Sequence, residues 1–295
     1  MTDATILIPT YRHSALVPYA VRSALDQAGA DVEVFVVGDG VEHDTREALA
    51  EFGEDPRVRF FDNPKGARHG ERLRHEALQE ASAPIVTYLS DDDLLLPGHV
   101  AQMRHLLEHA DMATDAPLYV HPDGSVRYNA FDLGRHEFVE LLKRGRGGGG
   151  LTGVAHTRKA YDRLPYGWRP APPEVATDIH MWRQFVGLPD FRGASATTLT
   201  TLVFPSPLRT HMTLEERQRE LDTWWRRSRD PGFATELEAA VAEATRRAAE
   251  RLKLTAVGLE DELRRVQRTR WWRARRLVAE LRPVRALFAR RRVGH

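Results

Sequence analysis

The 295-residue sequence contains no cysteine, which excludes disulfide bonds, thiolate metal sites and cysteine nucleophiles and suits a reducing compartment. No apolar run approaches the roughly 20 residues that span a bilayer, and the first residues lack the basic region of a secretion signal. Hydrophobic residues make up 42% of the chain and charged residues 29%, as in a globular protein. We therefore expect a cytoplasmic protein.

Acidic residues are nearly absent from the end of the chain. Twelve of the 43 basic residues, but only one of the 42 acidic residues, lie between Arg264 and Arg292, so an acidic body carries a strongly basic tail. The apolar residues of this tail recur at helical spacing beside two tryptophans: Trp271, Trp272, Leu277, Leu281, Val284 and Phe288. This pattern predicts a basic amphipathic helix. Two uses stay open, an anionic surface at the inner face of a membrane and a docking helix for the body or for a homodimer. No base-reading motif supports nucleic acid, so we expect no such partner.

Short apolar runs alternate with helical patterns through the first hundred residues. The runs lie at 5–9, 32–38, 58–61 and 84–89, and the helical patterns lie between them. This alternation predicts an α/β fold with a mostly parallel sheet and helices on both faces. From Thr213 onward the pattern is helical, which predicts a C-terminal helical extension.

Residues 91–93, all aspartate, follow the fourth predicted strand. Like charges drawn against a packed core must be solvated, protonated or neutralised by a cation. One interpretation is a site for Mn²⁺ or Mg²⁺, which binds carboxylate oxygens and bridges phosphates. The alternative is a structural role, as a solvated acidic turn or a helix N-cap. Since parallel sheets bind ligands at the carboxyl ends of their strands, the aspartates should lie beside Thr10, Arg12 and Asp39.

Four segments, at 6–25, 32–40, 73–78 and 88–100, occur in an order and spacing that resemble the nucleotide-binding half of glycosyltransferase family 2. The resemblance covers roughly residues 4–210 and implies the GT-A fold. It implies a transferase domain over 1–212, with a nucleotide-binding half at about 1–100 and an acceptor half at about 101–212. The helical region with the basic tail would then occupy 213–295.

The resemblance also implies which side chains hold the donor. Those implied to bind the nucleotide-sugar are Pro9, Thr10, Tyr11, Arg12, Asp39, Arg74, Asp91, Asp93, Thr152 and Gly153. Asp92 is the implied ligand of a Mn²⁺ or Mg²⁺ cofactor, and Ser90 stands where the family often has another aspartate. His211 is implied as a further metal ligand, with a surface histidine before a helix as the alternative.

The second family feature is an acidic pair at a helix start, where this chain has Thr177 and Asp178. The resemblance implies that Asp178 is the catalytic base; alternatively it is an aspartate stabilised by the helix dipole. The implied enzyme is an inverting glycosyltransferase of the hexosyltransferase type. It would move a sugar from a nucleotide-diphosphate-sugar, with a UDP-sugar favoured, to a glycan or lipid-linked acceptor in bacterial-type polysaccharide or glycoconjugate synthesis. A sugar-nucleotidyltransferase and a degenerate, non-catalytic nucleotide-sugar-binding protein remain as alternatives.

Two further motifs favour structural interpretations. His105 to His109 matches His-x-x-Glu-His of zinc peptidases, but the segment continues a helix whose apolar face includes Val100 and Met103. Gly145, Gly147 and Gly150 match a dinucleotide fingerprint, but they follow a predicted helix and precede a strand, the reverse of what that motif requires. We expect this glycine-rich segment to form a mobile flap over the donor.

Overall fold

The computed structural model describes residues 2–128, 131–147, 150–230 and 232–268. Contacts divide the chain into two units, Met1–Val241 and Ala242–His295. In chain order, the strands of the described residues are β1 (Ala4–Thr10), β2 (Val32–Asp39), β3 (Val58–Asn63), β4 (Ile85–Tyr88), β5 (Leu94–Leu95), β6 (Met112–Thr114), β7 (Leu118–Val120), β8 (Val126–Tyr128), β9 (Val154–Thr157), β10 (Gly193–Ser195) and β11 (Thr201–Val203).

Helices alternate with the first strands along the chain. Among the described residues they are α1 (Val17–Leu25), α2 (His43–Leu49), α3 (Glu71–Gln79), α4 (His99–Leu107), α5 (His136–Lys143), α6 (Arg158–Tyr161), α7 (Thr177–Val186), α8 (Leu214–Ser228) and α9 (Phe233–Arg268). The first four predicted strands and the helices between them are all present, so the α/β alternation is confirmed.

The described strands form two sheets. The larger has the order β10-β6-β9-β4-β1-β2-β3, and the smaller has the order β5-β11-β7-β8. In the larger sheet β1 pairs in parallel with both β2 and β4, whereas β9 runs antiparallel to β4 and β6. The predicted mostly parallel sheet is therefore confirmed, and β1 lies between the two strands whose loops matter most for the site.

Apolar side chains cover both faces of the larger sheet. Along β1, Ile6 and Ile8 pack with α1 on one face, while Leu7 packs with Trp168 and Phe185 on the other. Successive side chains of a strand point to opposite faces, and a sheet covered by helices on both sides needs apolar residues at every position. This explains why the predicted strand is a continuous apolar run.

The smaller sheet packs against α1, α8 and the start of α9. Leu118 and Leu202 of this sheet contact a third apolar cluster that contains Tyr19, Leu221 and Trp224. The first unit therefore includes α8, which lies beyond residue 212. The proposed division of the chain at that residue stays a prediction.

In the second unit the described residues, 242–268, are helical. No helix within the described ranges has the length and apolar character needed to cross a membrane. The predicted basic amphipathic tail lies outside the described residues from Thr269 onward. In α4, His105 is exposed while Met103 is buried, and Glu108 and His109, which directly follow the helix, are exposed too, in keeping with a polar outer face.

Candidate active site

A cavity of about 780 Å³ opens at the carboxyl ends of β1, β2 and β4. The strands are adjacent and parallel, so the loops that follow them meet at one edge of the sheet. Nine of the predicted site residues line this cavity: Pro9, Thr10, Tyr11, Arg12, Asp39, Arg74, Asp91, Asp92 and Asp178. The tertiary structure thus brings Asp178 of α7 together with the three strand-end loops.

A second cavity of about 300 Å³ adjoins the first and shares Ser90, Asp92 and Asp178 with it. Thr152 and Asp93 line this second cavity. Gly153 lies behind them, where a Cβ would be only 2.1 Å from Oδ1 of Asp115. The turn before β9 therefore reaches the site through Thr152, and Gly153 allows the chain to pass close to Asp115.

The three consecutive aspartates are all buried, and each carboxylate has a different partner. Asp91 Oδ1 lies 2.8 Å from Nδ1 of His13. Asp92 Oδ2 accepts hydrogen bonds of 2.6 Å from both the Ser206 hydroxyl and Nη2 of Arg217. The carboxylates are therefore bound by protein groups from distant segments, among them the cation of Arg217 on Asp92.

Asp93 is bound on both of its oxygens by the protein. Its Oδ2 accepts from the Thr152 hydroxyl and its Oδ1 accepts from the backbone N–H of Phe204 at 2.7 Å. Burial, with the neighbouring charge of Asp92, raises the pKa of Asp93 to about 8. This arrangement joins the aspartate loop to the segment before β9 and to the residue after β11, and the predicted donor contact of Asp93 stays a prediction.

One group of described side chains could hold a metal ion. Ligand atoms of His13, Asp91 and Asp92 all lie within 4.8 Å of one another. Two carboxylates and an imidazole suit Mn²⁺, and the carboxylates alone suit Mg²⁺, so the donor chemistry fits the predicted cofactor. His211 is exposed in the turn before α8 and does not belong to this group. Its role as a ligand stays a prediction.

At the other end of the cavity, Asp39 is held by the segment that follows β3. Lys65 Nζ donates to Asp39 Oδ2 and the Gly66 N–H donates to Oδ1, both at 2.6 Å. Gly70 has a φ of 70°, and a Cβ there would lie 2.8 Å from Asp39 Cγ. The Tyr11 ring is 37% exposed and lies under the cations of Arg12 and Lys65. A polar carboxylate beside an exposed aromatic ring can bind a planar base by hydrogen bonding and stacking.

Arg74 lines the cavity and is 7% exposed. Its Nη2 donates to the carbonyl of His69 at 2.9 Å, and its guanidinium lies 4.8 Å from the Trp168 ring centroid. Within the described residues, Nε and Nη1 have no hydrogen-bond partner. Burial lowers the pKa of Arg74, and the charges of Asp178 and Glu71 oppose that effect. Two free donors on a held guanidinium suit an anionic group such as a phosphate.

Asp178 lies in the first turn of α7, as predicted. Burial raises its pKa, whereas the nearby Arg74 and His69 lower it. The carboxyl is therefore a stronger base than an exposed aspartate would be. Next to it, Thr177 donates to Glu71 Oε1 at 2.9 Å. Glu71 is fully buried, so α3 supplies a carboxylate beside the position where the family usually has glutamate.

Several residues in or beside the cavity were missed by the sequence analysis. His13 directly follows Arg12 in the loop after β1, so a wider reading of that loop would have included it. Lys65 lies after β3, in a loop that the sequence analysis did not single out. Ser206 and Arg217 carry no local signal, because Arg217 is 125 positions from Asp92 along the chain. Glu71 resembled an ordinary helix N-terminal acid.

Comparison with known proteins identifies the family. The model described as glycosyl transferase family 2 matches residues 5–166, which is more than half of the chain. The chain belongs to glycosyltransferase family 2. The family predicted from the four segments is confirmed, and the predicted enzyme class is the class of this family.

The curated relatives of this family 2 chain include two bacterial enzymes. A GalNAc(5)-diNAcBac-PP-undecaprenol beta-1,3-glucosyltransferase of Campylobacter jejuni is 28% identical over 35% of the chain and 34% of its own length. Chondroitin synthase of Pasteurella multocida is 31% identical over 43% of the chain and 14% of its own length. The matched part therefore spans about a third or less of each of these relatives.

Among solved structures, S. aureus TarS 1-349 matches with a TM-score of 0.56 and 12% identity. The match covers 83% of this chain and 71% of the TarS chain. Structures of the same protein in complex with UDP and with UDP-GlcNAc each have a TM-score of 0.55. At this identity the likeness concerns the fold. The predicted GT-A fold is confirmed.

Proposed function

We propose that the protein transfers a sugar from a nucleotide-diphosphate-sugar to an acceptor hydroxyl with inversion, in polysaccharide or glycoconjugate synthesis. The observation that carries the proposal is the single cavity in which Asp178 meets the aspartate loop and the strand-end loops. A UDP-sugar is the favoured donor, because the structurally similar TarS was solved with UDP and UDP-GlcNAc. A lipid-linked acceptor is suggested by the name of the Campylobacter relative.

The donor is proposed to lie along the strand ends. Asp39 and Tyr11 hold the base, and the loop from Pro9 to Arg12 holds the rest of the nucleoside. Arg74, whose Nε and Nη1 have no hydrogen-bond partner among the described residues, is proposed to donate to the diphosphate. Asp91, Asp92 and His13 would hold a divalent cation, which when bound supplies positive charge to the departing diphosphate.

Asp178 is proposed to accept the proton of the acceptor hydroxyl. The hydroxyl oxygen forms the new bond to the anomeric carbon while the bond from that carbon to the diphosphate breaks, so the nucleoside diphosphate departs with the electron pair. A carboxylate whose pKa is raised toward neutrality takes the proton more readily. The smaller cavity, which also touches Asp178, is the proposed place for the acceptor.

A panel of nucleotide-sugars with product analysis tests this function. A transferase releases nucleoside diphosphate and glycosylates an acceptor, whereas a sugar-nucleotidyltransferase releases pyrophosphate from a nucleoside triphosphate. Binding without any product would favour the non-catalytic alternative, which Ser90 and Thr177 keep open. Asp92→Asn should abolish the Mn²⁺-dependent part of UDP affinity in calorimetric titration. Equal Mn²⁺ dependence in the variant would remove Asp92 from the proposed metal site.

The basic tail is proposed to bring the protein to an anionic membrane surface, where a lipid-linked acceptor would be found. This rests on the sequence, since the tail beyond residue 268 lies outside the described residues. Docking in a homodimer remains the alternative.

A further inference from the structure

Arg217 of α8 lies outside the part of the chain that the family model matches. Its side chain nevertheless contacts the proposed metal site. Its Nη2 donates to Asp92 Oδ2 at 2.6 Å and to Ser206 Oγ at 3.0 Å. Its Nη1 lies 3.1 Å from Nε2 of His13. One guanidinium therefore contacts two of the three candidate metal ligands.

The helix that carries Arg217 is fixed at its start. Thr213 and Glu216 form a capping box, with hydrogen bonds of 2.8 and 3.2 Å between side chain and backbone. Three residues beyond Arg217, Glu220 pairs on both oxygens with the buried Arg209. The side chain of Arg217 is only 12% exposed, and its Nε has no partner in the described ranges. The guanidinium is thus held in place by the fold.

The hydrogen bonds show which atoms of the candidate ligands already have partners. Arginine only donates, so Nε2 of His13 must accept, and the proton of the neutral ring is then on Nδ1, which donates to Asp91. A metal binds an imidazole nitrogen that carries no proton. Asp92 Oδ2 already accepts from two donors. A cation that bound Asp92 through Oδ2, or His13 through Nε2, would have to displace Arg217.

We propose that Arg217 is a protein-borne counter-ion of Asp92 that competes with the divalent cation for that carboxylate. The inference rests on the proposed function, because it assigns the control of the same metal site. It follows that the protein without donor binds a divalent cation weakly. A nucleoside diphosphate offers oxygens that can pair bidentately with the displaced guanidinium, so donor and cation promote each other's binding.

The test measures Mn²⁺ binding to the full chain without any nucleotide, from the electron paramagnetic resonance signal of free Mn²⁺. Arg217→Gln removes the charge, and Arg217→Lys keeps the charge but loses the fork that reaches both Asp92 and His13. Arg219→Gln is the matched control, since Arg219 lies exposed on the same helix and loses the same charge.

Arg217→Gln should bind Mn²⁺ about tenfold or more tightly than the wild type, as expected when a unit charge leaves the ligand shell. Arg217→Lys should show a smaller gain, and Arg219→Gln should match the wild type. The proposal is overturned if both Arg217 variants bind Mn²⁺ no more tightly than the wild type, or if Arg219→Gln shows the same gain. Because no turnover is measured, tighter binding in Arg217→Gln would stand even if no nucleotide-sugar proved to be a donor.

Discussion

At the scale of single residues, the site depends on carboxylates held close to arginines. Asp178 lies where burial raises its pKa and the Arg74 charge lowers it, so its basicity depends on the balance of the two. Arg74 in turn is kept charged by Asp178 and Glu71 against the effect of its own burial. A change in one of these side chains therefore alters the chemistry of the others.

Asp178→Asn should lower kcat by about 10²–10⁴-fold, because the amide cannot accept a proton as a carboxylate does. UDP affinity by calorimetry should change far less, since the nucleoside is bound by the strand-end loops. Asp162→Asn, the same change at an exposed aspartate, is the control. A kcat for Asp178→Asn within about threefold of the wild type, on the order of 0.7 kcal/mol, would place the base elsewhere.

The acidic limb of the kcat–pH profile should report Asp178. The base works only when ionised, so kcat rises with pH through a pKa above the ordinary aspartate value of about 3.9. Arg74→Met removes the charge that lowers this pKa, so the limb should move to higher pH at saturating donor. Arg72→Met on the exposed side of the same helix should leave the limb unchanged. If the limb stays in place in Arg74→Met, the Arg74 charge does not lower the pKa of the catalytic base.

At the scale of elements, α8 is fixed to the smaller sheet by a buried ion pair. Arg209 is 2% exposed, and it donates to both oxygens of Glu220 and to the carbonyl of Val120. The pair joins β7 to the helix that carries Arg217. Apolar contacts of Leu221 and Trp224 complete the attachment.

Arg209→Met should reduce the free energy of unfolding by about 3–5 kcal/mol, because it leaves the Glu220 charge largely buried without its partner. Urea denaturation measures the loss. Arg226→Met on the same helix breaks an exposed pair with Asp222 and should cost about 0–1 kcal/mol. The double variant Arg209→Met with Glu220→Leu should lose less than Arg209→Met alone. Equal losses in Arg209→Met and Arg226→Met would contradict this role.

At the scale of the whole molecule, charge is divided between an acidic body and a basic tail. Residues 269–295 hold nine arginines and one acid. An acidic body is repelled by anionic lipid, so any attraction must come from the tail. Each basic residue near such a surface contributes about 1 kcal/mol.

Deleting residues 269–295 should weaken co-sedimentation with anionic vesicles and leave UDP affinity unchanged. Raising the salt concentration should release the full-length protein, because screening weakens its attraction to the surface. Vesicles of neutral lipid are the control. If both forms sediment equally, or if the deletion dissociates a dimer, the tail is a packing element instead of a membrane-binding one.

The sequence by itself determined the α/β alternation, the parallel sheet and the set of strand-end loops. These follow from local patterns, since the period of apolar residues shows which segments are strands and the ends of parallel strands lie at one edge. The same local patterns are enough to place Thr10, Asp39 and Asp91 together. Asp178 was placed by its helix-start position within the family resemblance.

Only the tertiary structure decided which groups bind the three aspartates. Asp91 pairs with His13, Asp92 with Arg217, and Asp93 with Thr152 and Phe204. These partners lie between 59 and 125 positions away along the chain. A buried charge takes whichever donor the fold brings within hydrogen-bond distance, and that depends on how loops meet in space, which the local period of the sequence does not encode.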